Sequence, residues 1–172
     1  MTEISTTLNG VDLQKVEQIT EQYRRDVESG REPFSARVRW LGGYQTVSEL
    51  GAHQPVQGDE PEALAGTNTG PTPEEMLLGA VGQCLAVGYA GAAASRGIKI
   101  ESLEIDVRGN VNLSAAYGVE EGHPGFDRID VDVHLDAAAE PQELEDLHAK
   151  VVERAPIPNT VARPVEVNAR LP

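Results

Sequence analysis

One cysteine among 172 residues leaves no partner for an internal disulfide, a cysteine-rich zinc ribbon or a CxxC redox pair. Aromatic side chains are scarce too, with one Trp, two Phe and four Tyr, so a core has to be built from Val, Leu, Ile and Ala. Basic residues are outnumbered: 14 Lys and Arg against 28 Asp and Glu leave a formal charge of −14, which repels phosphates and argues against nucleic acid as a partner. Glycine-rich phosphate loops are absent, and no nucleotide cofactor is implied. The four histidines, His53, His123, His134 and His148, show no HExxH or other paired ligand spacing, so no metal is expected, and His134 on an alternating run is expected at the surface. Ser95, Ser102 and Ser114 lack a nucleophile elbow. Residues 1–10 lack the basic start and apolar stretch of an export signal and read as a loose tail, so the cytoplasm is the expected compartment.

What remains suits a single compact domain, since a chain this long can bury about two thirds of its unfolded surface. Residues 11–29 place Leu13, Val16, Ile19, Tyr23 and Val27 at helical spacing before Gly30, predicting an amphipathic helix. A hairpin is expected from 34–50 around Gly42-Gly43, with its first strand at 35–41. The Pro/Gly/Thr-rich stretch 52–70 reads as a long loop that can hide a short strand. Two long alternating strands follow, 98–113 and 126–135, separated by a loop at 115–125. Pro141 opens another helix carrying Leu144, Leu147, Val151 and Val152, which 155–158 ends, and a last strand is expected at 164–171.

The most distinctive segment lies between. Thr72 as N-cap, Pro73 at the first helical position and Glu75 three residues after the cap form a capping box. Residues 76–94 then carry no charge and approach the ~20 residues of a bilayer span, but Gly/Ala richness, Gln83 and Cys84 in the middle, and acidic Glu74 and Glu75 at one end favour a buried helix over a membrane segment. Gly79, Gly82, Gly88 and Gly91 each cost a helix interior about 1 kcal/mol relative to Ala, which close approach of other backbone would offset. This helix is therefore expected to be central and wholly buried. Cys84 sits mid-helix, where the N-terminal dipole helps little; a thiolate there needs a cation or hydrogen-bond donors from elsewhere, and without them it is an inert buried thiol.

The run Thr72-Pro73-Glu74-Glu75-Met76-Leu77-Leu78-Gly79-Ala80-Val81-Gly82-Gln83-Cys84 resembles the Pro-Glu…Cys helix of the OsmC/Ohr family of thiol-dependent hydroperoxide reductases. The similarity extends from about residue 34 to the C-terminus, and Arg154-Ala155-Pro156-Ile157-Pro158-Asn159-Thr160 resembles the family's second-cysteine segment. It divides the chain into an N-terminal tail and helix, 1–32, and an OsmC-like domain, 33–172. The resemblance implies an α+β fold of curved, mainly antiparallel sheets around a central buried helix, in an intertwined homodimer with active sites at the subunit boundary. It also implies a small hydroperoxide as substrate, no cofactor, and Cys84 and Glu74 as catalytic residues. Ten residues along one helix separate Glu74 from Cys84 by about 15 Å, so Glu74 would act from the partner chain.

Two departures from the family pattern shape the expected chemistry. The place of the second cysteine is held by Ala155, so a sulfenic acid on Cys84 would have to be resolved by an external thiol. Where the Ohr branch has its thiolate-stabilising arginine, near Gly42-Gly43, stands Tyr44, a neutral donor; Arg37 or Arg39 on the adjacent strand could substitute, which makes Tyr44 and Arg39 the candidate substrate-binding residues. The OsmC branch draws that arginine from the region matching 52–70, which here has His53 but no Arg or Lys. The expected activity is reduction of organic hydroperoxides by one reactive cysteine. The alternative is a binding or structural protein of the same fold without peroxidase activity.

Overall fold

The computed structural model describes residues 7–171. It divides into two compact units: one formed by residues up to Gln18 together with Leu78 onwards, the other by Ile19–Leu77.

In the first unit, strands β1 (Thr7–Leu8) and β2 (Val11–Asp12) form a small hairpin whose turn, Asn9-Gly10, takes positive φ at both residues. The expected loose tail is thus ordered at 7–10, while 1–6 lie outside the described residues. The Asn9 side chain donates to the Ile98 carbonyl at 2.9 Å and accepts from the Ile100 N–H at 3.0 Å, so one amide stands in for a strand partner. Helix α1 (Leu13–Arg25) starts two residues later than the sequence pattern suggests and stops earlier. Beyond it, already in the second unit, Asp26 caps a separate 3-10 turn, Val27–Gly30, by accepting from the Glu28 N–H.

The core of this unit is helix α2 (Pro73–Ser95) laid on the antiparallel pair β6 (Ile100–Val111) and β7 (Phe126–Ala137), with α4 (Pro141–Arg154) against them. Val81, Leu85, Tyr89 and Ala93 recur every fourth residue along α2 and meet Leu147 and Val151 of α4 and the inward alternating residues of the strands. On the outward face of the sheet Arg108 forms an ion pair with Asp132 and Arg128 with Asp130, and an exposed His134 is hydrogen-bonded to Asp106 at 3.1 Å. A short helix α3 (Leu113–Ala116), capped by Asn112, occupies the start of the expected loop at 115–125.

Three expectations fail in this unit. Helix α2 is not wholly buried in the single chain: it covers one face, and Val87 on another is 74% exposed. Of the four α2 glycines only two have a close neighbour, and it is a side chain instead of the expected backbone, Val107 at Gly82 and Val151 at Gly88; added β-carbons at Gly79 and Gly91 would meet nothing within 4 Å. By length and composition α2 could cross a membrane, yet its Val81–Ala93 stripe is packed as a core helix is packed. Helix α4 does end at Arg154 as expected, and the chain then turns at Ala155 into another short helix, α5 (Pro156–Val161). Finally, 164–171 is not a strand; the alternating Val165 and Val167 find no ladder among the described residues and stay exposed, because alternation creates a strand only where an edge pairs with it.

The second unit contains β3 (Ala36–Gly42), β4 (Gln45–Leu50) and β5 (Val56–Gly58) in an antiparallel sheet of that order. The Gly42-Gly43 turn is where expected, both glycines at positive φ, and β5 is the short strand inside the long loop. What organises the rest of that loop is Asp59, only 2% exposed. Its carboxylate accepts from the backbone N–H groups of Glu60, Thr67 and Thr69 and from the hydroxyls of Thr67 and Thr69. The loop closes so tightly that a β-carbon on Gly66 would fall 1.9 Å from the Glu60 carbonyl oxygen.

The Thr67 hydroxyl does most to hold the Asp59 carboxyl well below the usual carboxylate range; burial opposes it, and the Thr69 and Glu60 donors add to it. A carboxyl lowered in the folded state stabilises the fold above the ordinary carboxylate pKa and loses that contribution as pH falls through the folded value. Asp59→Asn is therefore expected to lower the melting temperature at neutral pH, because its NH2 group would face N–H donors. The deficit should shrink in acid; thermal melts of both proteins across the acid range check it, and equal melting temperatures at neutral pH would refute the role.

Candidate functional site

Cys84 occupies the margin of the packed face of α2. It is half-buried, with its neighbours Val81 and Leu85 in the core and Gln83 exposed. Its thiol opens into a cleft of about 610 Å³, bounded on the α2 side by Ala80, Gln83, Val87, Gly88 and Ala92. The opposite wall is the α4–α5 corner, from Lys150 and Val151 through Arg154 to Ile157. That size suits a small molecule.

The corner is built to aim a donor at the sulfur. Helix α4 ends at Arg154, and Ala155, 4% exposed and extended, serves as both its C-cap and the N-cap of α5. Pro156 and Pro158 suit the first turn of a helix, where their missing N–H groups would go unused. Asn159 then ties the corner, its amide donating to the carbonyls of Val152, Glu153 and Ala155 at 2.9–3.2 Å. With the corner fixed, the N–H of Ile157 points at Cys84 Sγ, 3.5 Å away, a bonding distance for the larger sulfur atom. The donor fixes the direction from which the sulfur's lone pair is met.

The sequence also asks for a cation, and the structure supplies two on the cleft wall, Lys150 and Arg154. Lys150 Nζ is held by the Glu153 carboxylate at 2.6 Å. The Arg154 guanidinium has no hydrogen-bond partner among the described residues. Neither cation stands out as a site residue in the sequence, although they lie four residues apart on one helix face and Arg154 is the first residue of the segment that resembles the family's second-cysteine region. The family pattern directs attention instead to the hairpin and the long loop, in the other half of the chain.

The other predicted residues, Glu74, Arg39 and Tyr44, belong to the second unit. Glu74 lies in the first turn of α2, and the unbroken helix keeps it ten residues from Cys84. Arg39 on β3 is exposed and paired with Glu49 at 3.1 Å, as a strand-surface arginine would be, and Tyr44 is an exposed turn residue. The capping box at the start of α2 is formed: the Thr72 N–H donates to the Glu75 carboxylate and the Glu75 N–H to the Thr72 hydroxyl. Glu75 is thereby accounted for structurally. Among the described residues no cluster of His, Cys, Asp and Glu could hold a metal.

Glu74 also belongs to an acidic group. Burial, and then the charges of Glu74, Asp59 and Glu75, push the Glu60 carboxyl above its usual range. A carboxyl raised in the folded state favours the fold below its ordinary pKa and weakens it once pH passes the folded value. Glu60→Gln is expected to raise the melting temperature at neutral pH and to leave it unchanged in acid, where the wild-type carboxyl is also neutral. A variant that melts lower at neutral pH would contradict this.

Comparison with known proteins follows the same outline. A family model described as OsmC-like protein matches residues 66–170. Comparison with curated sequences gives no match. Among solved structures, an OsmC-like protein of Mycoplasma pneumoniae is similar at a TM-score of 0.66 and 17% identity, over 76% of this chain and 88% of that one. An organic hydroperoxide resistance protein OsmC of Legionella pneumophila gives 0.56 at 18% identity, over 76% and 91%. An organic hydroperoxide resistance protein of Elizabethkingia anophelis, with crystallant-derived thiocyanate bound, gives 0.56 at 16%, over 76% and 90%. At such identities the structural likeness is one of fold, mixed α+β with antiparallel sheets and packed helices. With the family model covering more than half of the sequence, the chain belongs to the OsmC-like family.

Proposed function

We propose that the protein reduces organic hydroperoxides through Cys84. The observation that carries this reading is the sulfur itself, open to an apolar cleft while a fixed backbone N–H reaches it from α5 and two cations stand on the wall. The thiolate attacks the peroxide oxygen, the O–O bond breaks, and the alcohol leaves with a proton while Cys84 becomes a sulfenic acid. Since no second cysteine exists in the chain, two equivalents of external thiol complete the cycle: the first forms a mixed disulfide and releases water, the second restores Cys84 and leaves as the external disulfide. The hydroperoxide resistance proteins of Legionella and Elizabethkingia are consistent with this reading.

The working unit of this proposal is a homodimer in which Glu74 of one chain positions the sulfur of the other. Apolar surface left open by the chain supports it, with Val38 at 61% and Trp40 at 72% exposure on β3. Complementation tests both parts. Glu74→Gln chains and Cys84→Ser chains should each be inactive alone, and mixed dimers should regain activity because one site per dimer then has both groups. Absence of recovery in dimers shown by mass to be mixed would end the proposal that Glu74 acts across the interface. Absence of thiol-dependent hydroperoxide consumption by the wild type would end the enzyme. The apolar cleft walls favour the second reading, a binding protein, in that case: a saturable apolar ligand would then protect Cys84 from alkylation without any turnover.

A further inference from the structure

The cycle needs a thiol that the chain does not contain, and the cleft says what kind. Around Cys84 the lining given by the single chain contributes two positive side chains, Lys150 and Arg154, and no carboxylate, so these cations outnumber the one acid, Glu74 of the other chain, that the proposed dimer brings to the sulfur, although the chain as a whole carries a charge of −14. Glu153, beside them in sequence, is 64% exposed and forms no part of the lining; its carboxyl is held low by Lys150 first, through a hydrogen bond and charge, and by Arg154 only after that. Lys150 is thus largely satisfied, and Arg154 is the cation left with donors to offer. Its five N–H donors in a planar fork suit a carboxylate. Ala155, the next residue, lines the same cleft with only a methyl group, leaving space beside the sulfur that a small molecule can enter and a bulky protein loop cannot fill as readily.

We propose that the thiol discharging the Cys84 sulfenic acid is a small monothiol bearing a carboxylate, which Arg154 holds in the cleft. The step rests on the peroxidase reading above. The bound thiol gives up its proton, its sulfur attacks the sulfenic sulfur, and the displaced hydroxide takes a proton and leaves as water, forming a mixed disulfide. A second molecule of the same thiol attacks the outer sulfur, releasing the external disulfide and the Cys84 thiolate. Arg154 is a specificity residue here: it touches the carboxylate, not the reacting sulfurs.

The test separates the two half-reactions. Sulfenic acid is generated on the full chain with one equivalent of cumene hydroperoxide, excess oxidant is removed, and its decay is followed with thioglycolate, mercaptoethanol or cysteamine, each rate expressed per thiolate. Thioglycolate should react up to about fivefold faster than mercaptoethanol, the range open to an exposed charge pair, and cysteamine should be slowest. The preference should fade at about 0.5 M salt, where screening is short-ranged. Arg154→Gln should bring the three rates together and Arg154→Lys should restore part of the difference, which a merely structural arginine would not do. Equal rates for the three thiols in the wild type, or a preference that survives Arg154→Gln, would overturn the inference and leave the peroxidase intact. Failure of any sulfenic acid to form would overturn the peroxidase, and this step with it.

Discussion

Cys84→Ser is expected to lose thiol-dependent hydroperoxide consumption altogether, a fall of at least about three orders of magnitude, to the rate of the external thiol alone. The size of the effect follows from the chemistry of one atom. A serine hydroxyl is not ionised near neutrality, and the carboxylate proposed to reach it, Glu74 of the partner chain, is too weak a base to ionise it. The Ile157 N–H would donate to the hydroxyl oxygen as it does to sulfur, without making that oxygen a nucleophile toward peroxide. The exchange is close to isosteric at a half-buried position outside the tight Val81–Leu85–Tyr89 stripe, so the fold should persist. Loss of consumption with an unchanged circular dichroism spectrum and unchanged melting temperature is the expected pair of measurements. A variant that retains more than a small fraction of the rate would show that the reduction does not pass through this sulfur.

How far the sequence anticipates that site differs from element to element. Where a residue's role is local, the reading succeeds: Thr72 and Glu75 form the capping box, Gly42-Gly43 makes the hairpin turn, and β6 and β7 follow their alternation. Where the role depends on a distant segment, it fails in characteristic ways. Nothing local says that Asn159 will lock the α4–α5 corner, and therefore nothing says that the Ile157 N–H will arrive at a sulfur 73 positions earlier in the chain. Arg154 and Lys150 look like ordinary surface residues of an amphipathic helix until that corner folds over Cys84. Conversely, the alternation at 164–171 and the glycines at 79 and 91 of α2 suggest packing that is not found among the described residues, because a pattern specifies what a surface suits and not where its partner is.

Ala155→Cys should convert the proposed one-cysteine cycle into a two-cysteine one. Position 155 and Cys84 line the same cleft, and the Ile157 N–H, two residues along from 155, already reaches Cys84 Sγ at 3.5 Å. A thiol introduced there is tethered beside the sulfenic acid, and tethering gives an effective concentration in the millimolar range or above, well beyond that of a dilute external thiol. The sulfenic acid should be captured as a disulfide between Cys84 and the introduced thiol with release of water, so that a sulfenate-trapping reagent labels the oxidised variant at least about tenfold less than the oxidised wild type. The intact mass should fall by two hydrogens instead of rising by one oxygen, and a dithiol should reverse the change. Because residue 155 is 4% exposed, the added sulfur costs some packing, which a modestly lowered melting temperature would show. Disulfide geometry tolerates only a narrow range of Cα separation, which makes the test demanding. If the sulfenic acid persists in the folded variant, the α5 corner does not stand over Cys84 when it is oxidised. The donor from Ile157 would then belong to the resting state alone.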